Sequence, residues 1–195
     1  MNHYLRISPR LLALVPAAVA INLVVGTITR ELSLPVYLDT IGTVLVAAVS
    51  GFGPGVLVGA VSQLLLGLLT GYQYLPFVVI QWLLALLVAL AASYHGFRSV
   101  FRTVLWGLAC GACCGALSAV ISYTLFGGST GGGVGWLTAA LRSAGLPLGV
   151  AVAIGSSSTD LLDKTIVIVV TGMLLRTLPR RILGRFPRAA RAVGQ

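Results

Sequence analysis

The sequence predicts an all-α integral membrane protein with about six transmembrane helices, because it is very hydrophobic, poor in charge and divided into long apolar runs. Hydrophobic residues occupy 57% of the 195 positions and charged residues only 9%. A soluble domain is normally about a quarter charged, so this chain has too few charges to cover a water-facing surface. Disorder is excluded too, because it requires low hydrophobicity and high charge. We expect one integral-membrane domain over residues 1–195, with a basic cytoplasmic tail over residues 179–195.

Six apolar runs are separated by polar, aromatic or glycine-rich breaks. A spanning helix needs about 20 mostly apolar residues, and the second run is shorter than this. For the sixth run, the hydroxyl-rich residues 156–159 supply a predicted N-cap. A single long bent helix over residues 146–178 remains the alternative. The predicted spans are residues 10–29, 38–51, 56–70, 76–93, 103–126 and 160–178.

The placement of the arginines predicts the orientation. Six crossings put both termini on one side, where ten arginines then lie, while Arg30 and Arg142 take the other side. The positive-inside rule therefore places both termini in the cytoplasm. Because these charges flank apolar runs, they are interpreted as topology signals and lipid contacts, and nucleic-acid binding is not expected. The ten arginines are Arg6, Arg10, Arg98, Arg102, Arg176, Arg180, Arg181, Arg185, Arg188 and Arg191.

Residues suited to ATP binding or catalysis are scarce. The single lysine, Lys164, follows Asp163, whereas a phosphate-binding P-loop needs a glycine before its lysine. The two histidines, His3 and His95, fall in predicted cytoplasmic flanks. The three cysteines lie within residues 110–114 of an apolar run, and are interpreted as packed small residues rather than as a metal or redox site. We therefore predict no enzymatic activity, no cofactor and no metal site in this chain.

Polar side chains at membrane depth form the predicted substrate site. Such groups are energetically expensive in lipid, so each is a functional hypothesis. Asp160 and Lys164 are spaced i, i+4 with the acid first, which is the favourable order for an ion pair. Two interpretations of this cluster stay open: it lines an outward-facing ligand pocket, or it only caps and braces the helix. The candidate substrate-binding residues are Asn22, Asp39, Gln81, Trp82, Trp136, Asp160, Asp163 and Lys164.

Small residues at helical spacing predict close helix contacts. A glycine ridge over residues 107–115 is interpreted as internal packing in the membrane. In the first span, Ala13 and Ala17 form a second small-residue face, and Asn22 lies about 140° round the helix from Ala17. Asn22 can therefore point inward while the alanine face looks out. Partner docking and internal packing both remain open for that face.

Two groups of motifs, one in each half of the chain, point to a family. The N-terminal half has Ala-Ile-Asn22, then Leu34-Pro-Val-Tyr-Leu-Asp39-Thr-Ile-Gly-Thr43, then Gly53-Pro-Gly55 and Gly59. The C-terminal half has Asp163-Lys164-Thr165, followed by Leu178-Pro179-Arg180. Together these motifs resemble the S components of energy-coupling-factor (ECF) transporters, in a group whose substrate is uncharacterised.

The resemblance implies a six-helix, S-component-like bundle in the plasma membrane of a prokaryote. Such a subunit binds a vitamin-like micronutrient at the outer face and delivers it with a separate transmembrane subunit and two ATPases. Ala13 and Ala17 would then meet the transmembrane partner, although Pro16 between them departs from the motif. The absence of an ATP motif fits this division of labour, and the resemblance does not identify the substrate.

A different class of function is also compatible with the sequence. A membrane sensory or anchoring module would work with a partner protein that supplies the output. A small membrane enzyme is disfavoured by the lack of histidine and cysteine clusters.

Overall fold

The computed structural model describes residues 9–128, 133–184 and 186–194, and every element in these ranges is helical. A 3₁₀ helix, η1 (Tyr72–Phe77), precedes the fourth α-helix. The predicted all-α class is confirmed. The α-helices are α1 (Pro9–Glu31), α2 (Ile41–Ser50), α3 (Phe52–Thr70), α4 (Val78–Ser93), α5 (Val100–Phe126), α6 (Gly133–Ser143), α7 (Leu148–Thr177), α8 (Arg180–Leu183) and α9 (Pro187–Val193).

Within the described ranges, four segments are long and apolar enough to cross a membrane: Ala13–Glu31, Phe52–Thr70, Tyr72–Ser93 and Val100–Phe126. The chain therefore has the make-up of a membrane protein. Helix α7 has 30 residues, about 45 Å at 1.5 Å per residue, but it contains several charged side chains. Helix α2 has only 10 residues. The count of six crossings and the cytoplasmic termini stay predictions, and Arg6 and His3 lie outside the described residues.

The expected start of the last helix is wrong. The predicted helix begins near Asp160, after a cap at residues 156–159. In the structure α7 is continuous from Leu148, as in the alternative of a single long helix. Hydroxyl side chains are tolerated inside a helix when they bond to an earlier carbonyl, and the Ser158 hydroxyl donates to the Ile154 carbonyl at 2.6 Å. Asp160 and Lys164 consequently lie in mid-helix, so stabilisation by a helix N-terminus does not apply to them.

The glycine ridge of α5 packs inside the bundle, as predicted, and the helix that it contacts is α7. A Cβ atom added at Gly111 would lie 2.6 Å from the Cα of Leu161, and one at Gly115 would lie 2.8 Å from the Cα of Ser157. Both distances are far below ordinary van der Waals contact, so only glycine permits this approach. The backbones of the two helices therefore come close enough to bring Ser118 of α5 and Asp160 of α7 to one wall.

The two ends of the bundle differ in charge and in structure. At one end, the Phe97 N–H donates to the Ala192 carbonyl at 3.1 Å, and α9 packs against α2 and α4. Part of the predicted basic tail is thus folded onto the bundle, with Ala192 fully buried. Arg176, near the end of α7, donates to the Thr103 hydroxyl at 3.4 Å, so Arg98 and Arg102 share this arginine-rich end. The loop over residues 32–40 and η1 lie at the opposite end.

Candidate functional site

A cavity of about 80 Å³ lies among α1, α3, α4, α5 and α7, at the end opposite the arginine-rich end. Phe126, the last residue of α5, lines it, whereas Arg102 lies at the other end of the same 27-residue helix. Loop 32–40 and η1 contribute the remaining walls. The polar side chains on its walls include Asp39, Gln63, Gln81, Ser118, Asp160 and Lys164, and the aromatic ones are Tyr37, Tyr74, Phe77 and Phe126.

The charged cluster of α7 is buried at one wall of the cavity, which Asp160 and Lys164 line. The Lys164 ammonium lies 3.3 Å from Asp160 Oδ1 and makes a still closer contact with Asp163 Oδ2. All three side chains are at least 97% buried. The predicted i, i+4 ion pair of Asp160 with Lys164 is confirmed, and Asp163 is added to it.

Asp163 has a second set of contacts that ties α7 to loop 32–40. Its Oδ1 accepts hydrogen bonds from the backbone N–H groups of Tyr37 at 3.0 Å and Leu38 at 2.7 Å. Both carboxylate oxygens are therefore occupied by protein groups. This arrangement suits a structural brace, and Asp163 itself is not on the cavity wall.

One oxygen of Asp160 has no hydrogen-bond partner among the residues that the structure describes. Oδ1 faces Lys164, while Oδ2 is buried without a hydrogen-bond partner. The Ser118 hydroxyl of α5 lies beside the same carboxylate. Because buried polar atoms are nearly always paired, an orphan oxygen on a cavity wall calls for an explanation.

Asn22 joins three helices rather than lining the cavity. Its amide nitrogen donates to the hydroxyls of Thr43 and Ser62 at 3.0 Å each, and its oxygen accepts from the Gly42 N–H at 2.6 Å. Both amide hydrogens and the oxygen are used. Asn22 is 1% exposed, so it points inward as predicted.

Gln81 reaches the cavity while holding the second helix in place. Its oxygen accepts from the Thr43 hydroxyl at 2.7 Å, and its nitrogen donates to the Asp39 carbonyl at 3.3 Å. The Gln81 nitrogen also donates to the Gln63 side-chain oxygen at 3.5 Å, and Gln63 in turn donates to the Tyr74 carbonyl at 2.7 Å. These amides therefore position the loop and η1 that form the mouth.

Trp82 and Trp136 are not on the cavity wall. Trp82 is 42% exposed and Trp136 is 73% exposed. Trp82 follows Gln81 on α4, and a step of 100° round the helix turns it away from the wall that Gln81 reaches. Trp136 lies on α6, which packs mainly on α7. The structure thus brings Asp39, Gln81, Asp160 and Lys164 together and leaves both tryptophans outside.

The rim of the cavity carries one carboxylate and one cation. Asp39 lies in loop 32–40, outside the membrane-spanning helices, and its burial raises the pKa of the carboxyl to about 6, against the lowering effect of nearby Lys164. It is therefore mainly ionised at pH 7. The Arg30 guanidinium sits 4.9 Å from the ring centroid of Tyr74 and donates to the Gly26 carbonyl at 3.4 Å.

Four residues of the site carry weak sequence signals. Tyr37 lies two residues after Pro35 in a short apolar segment, Phe77 follows Pro76 at the start of the fourth predicted span, and Phe126 ends an apolar run. Ser118 was detectable in principle, since it lies three residues after Gly115 and so continues the packed face of α5.

The small-residue face of α1 points away from the bundle. Ala13 and Ala17 are exposed, whereas the adjacent Ala18 is 1% exposed and lies against α2. The predicted opposition between the alanine face and Asn22 is confirmed. What docks on the face stays a prediction.

Among the residues described, no cluster of three histidine, cysteine or acidic side chains is arranged to hold a metal ion. The arrangement instead combines hydrogen-bonding groups, carboxylates and aromatic rings around a small space, which suits non-covalent binding of a small molecule. Comparison with protein-family models, with curated proteins and with solved structures found no match to this chain.

Proposed function

We propose that this chain is the substrate-binding S component of an ECF-type importer in a prokaryotic plasma membrane. It captures a small, vitamin-like micronutrient at the outer face and delivers it with a separate transmembrane subunit and two ATPase subunits. The observation that carries the proposal is the cavity between α1, α3, α4, α5 and α7, at the end opposite the arginine-rich end.

The make-up of the cavity supports capture of a small solute. Small-molecule sites are concave and mostly apolar, with a few placed polar groups that fix orientation. Here Gln81 and Asp160 converge on a space that Tyr74 and Phe77 also line. Because Gln81 is already held by the Thr43 hydroxyl, its amide is preorganised before any ligand enters.

The charge distribution supports an outward opening. By the positive-inside rule, the end with Arg98, Arg102 and Arg176 faces the cytoplasm. The cavity, lined by loop 32–40 and η1 at the opposite end, then opens to the outside.

The exposed alanine face supports delivery through a partner. Small residues allow two helix backbones to approach closely in lipid, where packing rather than hydrophobicity drives association. Ala13 and Ala17 offer such a face on α1, on the outside of the bundle. Our proposal gives this chain no catalytic step, and the energy for transport comes from the partner ATPases.

Co-purification of a small molecule tests the proposal. We expect mass spectrometry to detect one retained solute in the purified full chain and to find it lost from Ser118→Phe, which fills the cavity. Val120→Phe is the matched control, since Val120 is two positions along the same helix but 57% exposed. The control should retain the solute.

Two results would count against the proposal. One is that no solute is retained by the wild-type chain and no ATPase subunit co-purifies with it. The other is a solute that both phenylalanine variants retain equally, which would put the binding site elsewhere.

A further inference from the structure

The charges around the cavity do not balance. Three carboxylates, from Asp39, Asp160 and Asp163, lie on or directly behind its walls, against two cations, Arg30 and Lys164. With all five groups ionised, one negative charge is in excess. An uncompensated charge away from water is unfavourable, so such a site favours a ligand of opposite sign.

The orphan oxygen marks where the ligand would bind. Asp160 is 2% exposed and lines the cavity, yet its Oδ2 has no hydrogen-bond partner within the described part of the chain. A carboxylate oxygen only accepts hydrogen bonds, so the missing partner must be a donor. A charged N–H donor would satisfy this oxygen and offset the surplus charge at the same time.

Both protein cations are already engaged. Lys164 is shared between Asp160 and Asp163, and its ammonium lies 5.8 Å from the ring centroid of Tyr37. Arg30 is held over Tyr74 at the rim. An anionic ligand would have to compete with these contacts and would meet the orphan oxygen of Asp160.

Aromatic rings supply the apolar part of the site. Phe77 and Phe126 stack with their centroids 5.9 Å apart and their planes 8° from parallel, and both line the cavity. This pair gives a flat apolar wall on the same cavity as the carboxylates. A flat ring bearing a cationic nitrogen matches both features.

We propose that the solute is a small aromatic or heterocyclic organic cation, whose N–H groups donate to Asp160 Oδ2 deep in the cavity and to Asp39 at its rim. This inference rests on the proposed function and names the chemical class of its substrate.

Three ring compounds that differ in charge test the inference. Benzamidine is a cation with N–H donors, benzamide is its neutral isostere, and benzoate is the anionic counterpart. We expect benzamidine to raise the unfolding midpoint of the purified full chain in detergent, and the other two to leave it unchanged, since the rise follows affinity for the folded state.

Matched variants test whether Asp160 and Asp39 bind benzamidine. Asp160→Asn and Asp39→Asn should each weaken benzamidine binding at least tenfold. Glu31→Gln is the control, because it removes a carboxylate that is exposed at the end of α1 and lies off the cavity wall. If Asp160→Asn does not fold, Asp39→Asn decides the question, since Asp39 lies in a loop.

The inference is overturned if benzamidine gives no rise, if benzoate or benzamide gives an equal one, or if both asparagine variants keep the full response. A rise with magnesium chloride and none with benzamidine also overturns it. Suppose that the wild-type chain retains an anionic solute and Ser118→Phe loses it. That result would refute the proposal that the solute is a cation, but it would leave the importer proposal intact. No retained solute and no ATPase partner would instead refute the importer proposal.

Discussion

Leu38 and Asp163 lie 125 positions apart, yet the Leu38 N–H donates a 2.7 Å hydrogen bond to Asp163 Oδ1. Leu38 has a φ of 50°, in the left-handed region that residues with a Cβ rarely adopt. The bond to Asp163 helps hold this conformation and fastens loop 32–40 to α7. The cavity wall therefore depends on a contact between residues that lie far apart in the sequence.

Replacing Asp163 with Asn should destabilise the fold by about 3–5 kcal/mol, because Lys164 loses its closest charged partner in a buried environment. Denaturant unfolding in detergent measures this change. Glu31→Gln, which removes an exposed carboxylate, is the control and should alter stability by less than about 0.5 kcal/mol. An Asp163→Asn variant as stable as the wild type would show that Lys164 does not need the Asp163 charge in the folded state.

Replacing Ala17 with Trp should block uptake of the solute while leaving binding by the isolated chain intact, because Ala17 is exposed on α1. Ala18→Trp is the control: Ala18 is 1% exposed, so the same change one position along should damage folding and binding together. The two variants are compared by uptake in cells that contain the partner subunits and by ligand-induced melting shifts. Normal uptake by Ala17→Trp would remove the alanine face from the docking proposal.

Replacing Gly111 with Ala should cost about 1–3 kcal/mol of stability, because the added methyl meets the backbone of α7 at Leu161. Gly53→Ala is the control, since a Cβ at Gly53 has no neighbour within 4 Å. Unfolding midpoints of the two variants provide the comparison. Equal midpoints would contradict the close packing of α5 on α7.

Benzamidine affinity should fall as the pH drops from 7 to 5. Burial raises the pKa of Asp39 to about 6, so its carboxylate is charged above that pH and neutral below it. The charged groups around Asp39 are Lys164, Asp163 and Asp160 from α7 and Arg30 from α1. A bound cation favours the ionised form of the Asp39 carboxyl group. The affinity for benzamidine should therefore fall by up to about tenfold for each pH unit below pH 6.

Titration calorimetry at several pH values measures this dependence, and benzamidine itself stays protonated throughout the range. Asp39→Asn should bind more weakly at pH 7 and show a flatter profile. A wild-type affinity that rises towards pH 5 would contradict the role given to Asp39.

The helical architecture could be predicted because apolar length and polar breaks are local properties of the sequence. The span predicted over residues 103–126 from apolar length lies within α5, Val100–Phe126. The continuity of α7 was harder to predict, because hydroxyl-rich residues 156–159 serve equally as a cap or as helix interior. In the structure the Ser158 hydroxyl donates to the Ile154 carbonyl, which is the contact of a serine in a helix interior and not of an N-cap.

The site could be predicted only where a residue type is unusual in lipid. Asp39, Gln81, Asp160 and Lys164 stand out for this reason, and all four reach the cavity. The placement of Trp136 depends on the packing of α6, which no local pattern encodes.

Whether the cavity opens to the outside is tested most directly by labelling two exposed tyrosine positions that flank α4. Tyr72 is 73% exposed beside the cavity end, and Tyr94 is 67% exposed at the arginine-rich end. Each is changed to Cys in a chain whose native cysteines at positions 110, 113 and 114 are replaced by Ala. A membrane-impermeant maleimide should label Tyr72→Cys in intact cells and Tyr94→Cys only after permeabilisation. The reverse pattern would put the cavity on the cytoplasmic side and contradict an importer subunit that captures its solute outside.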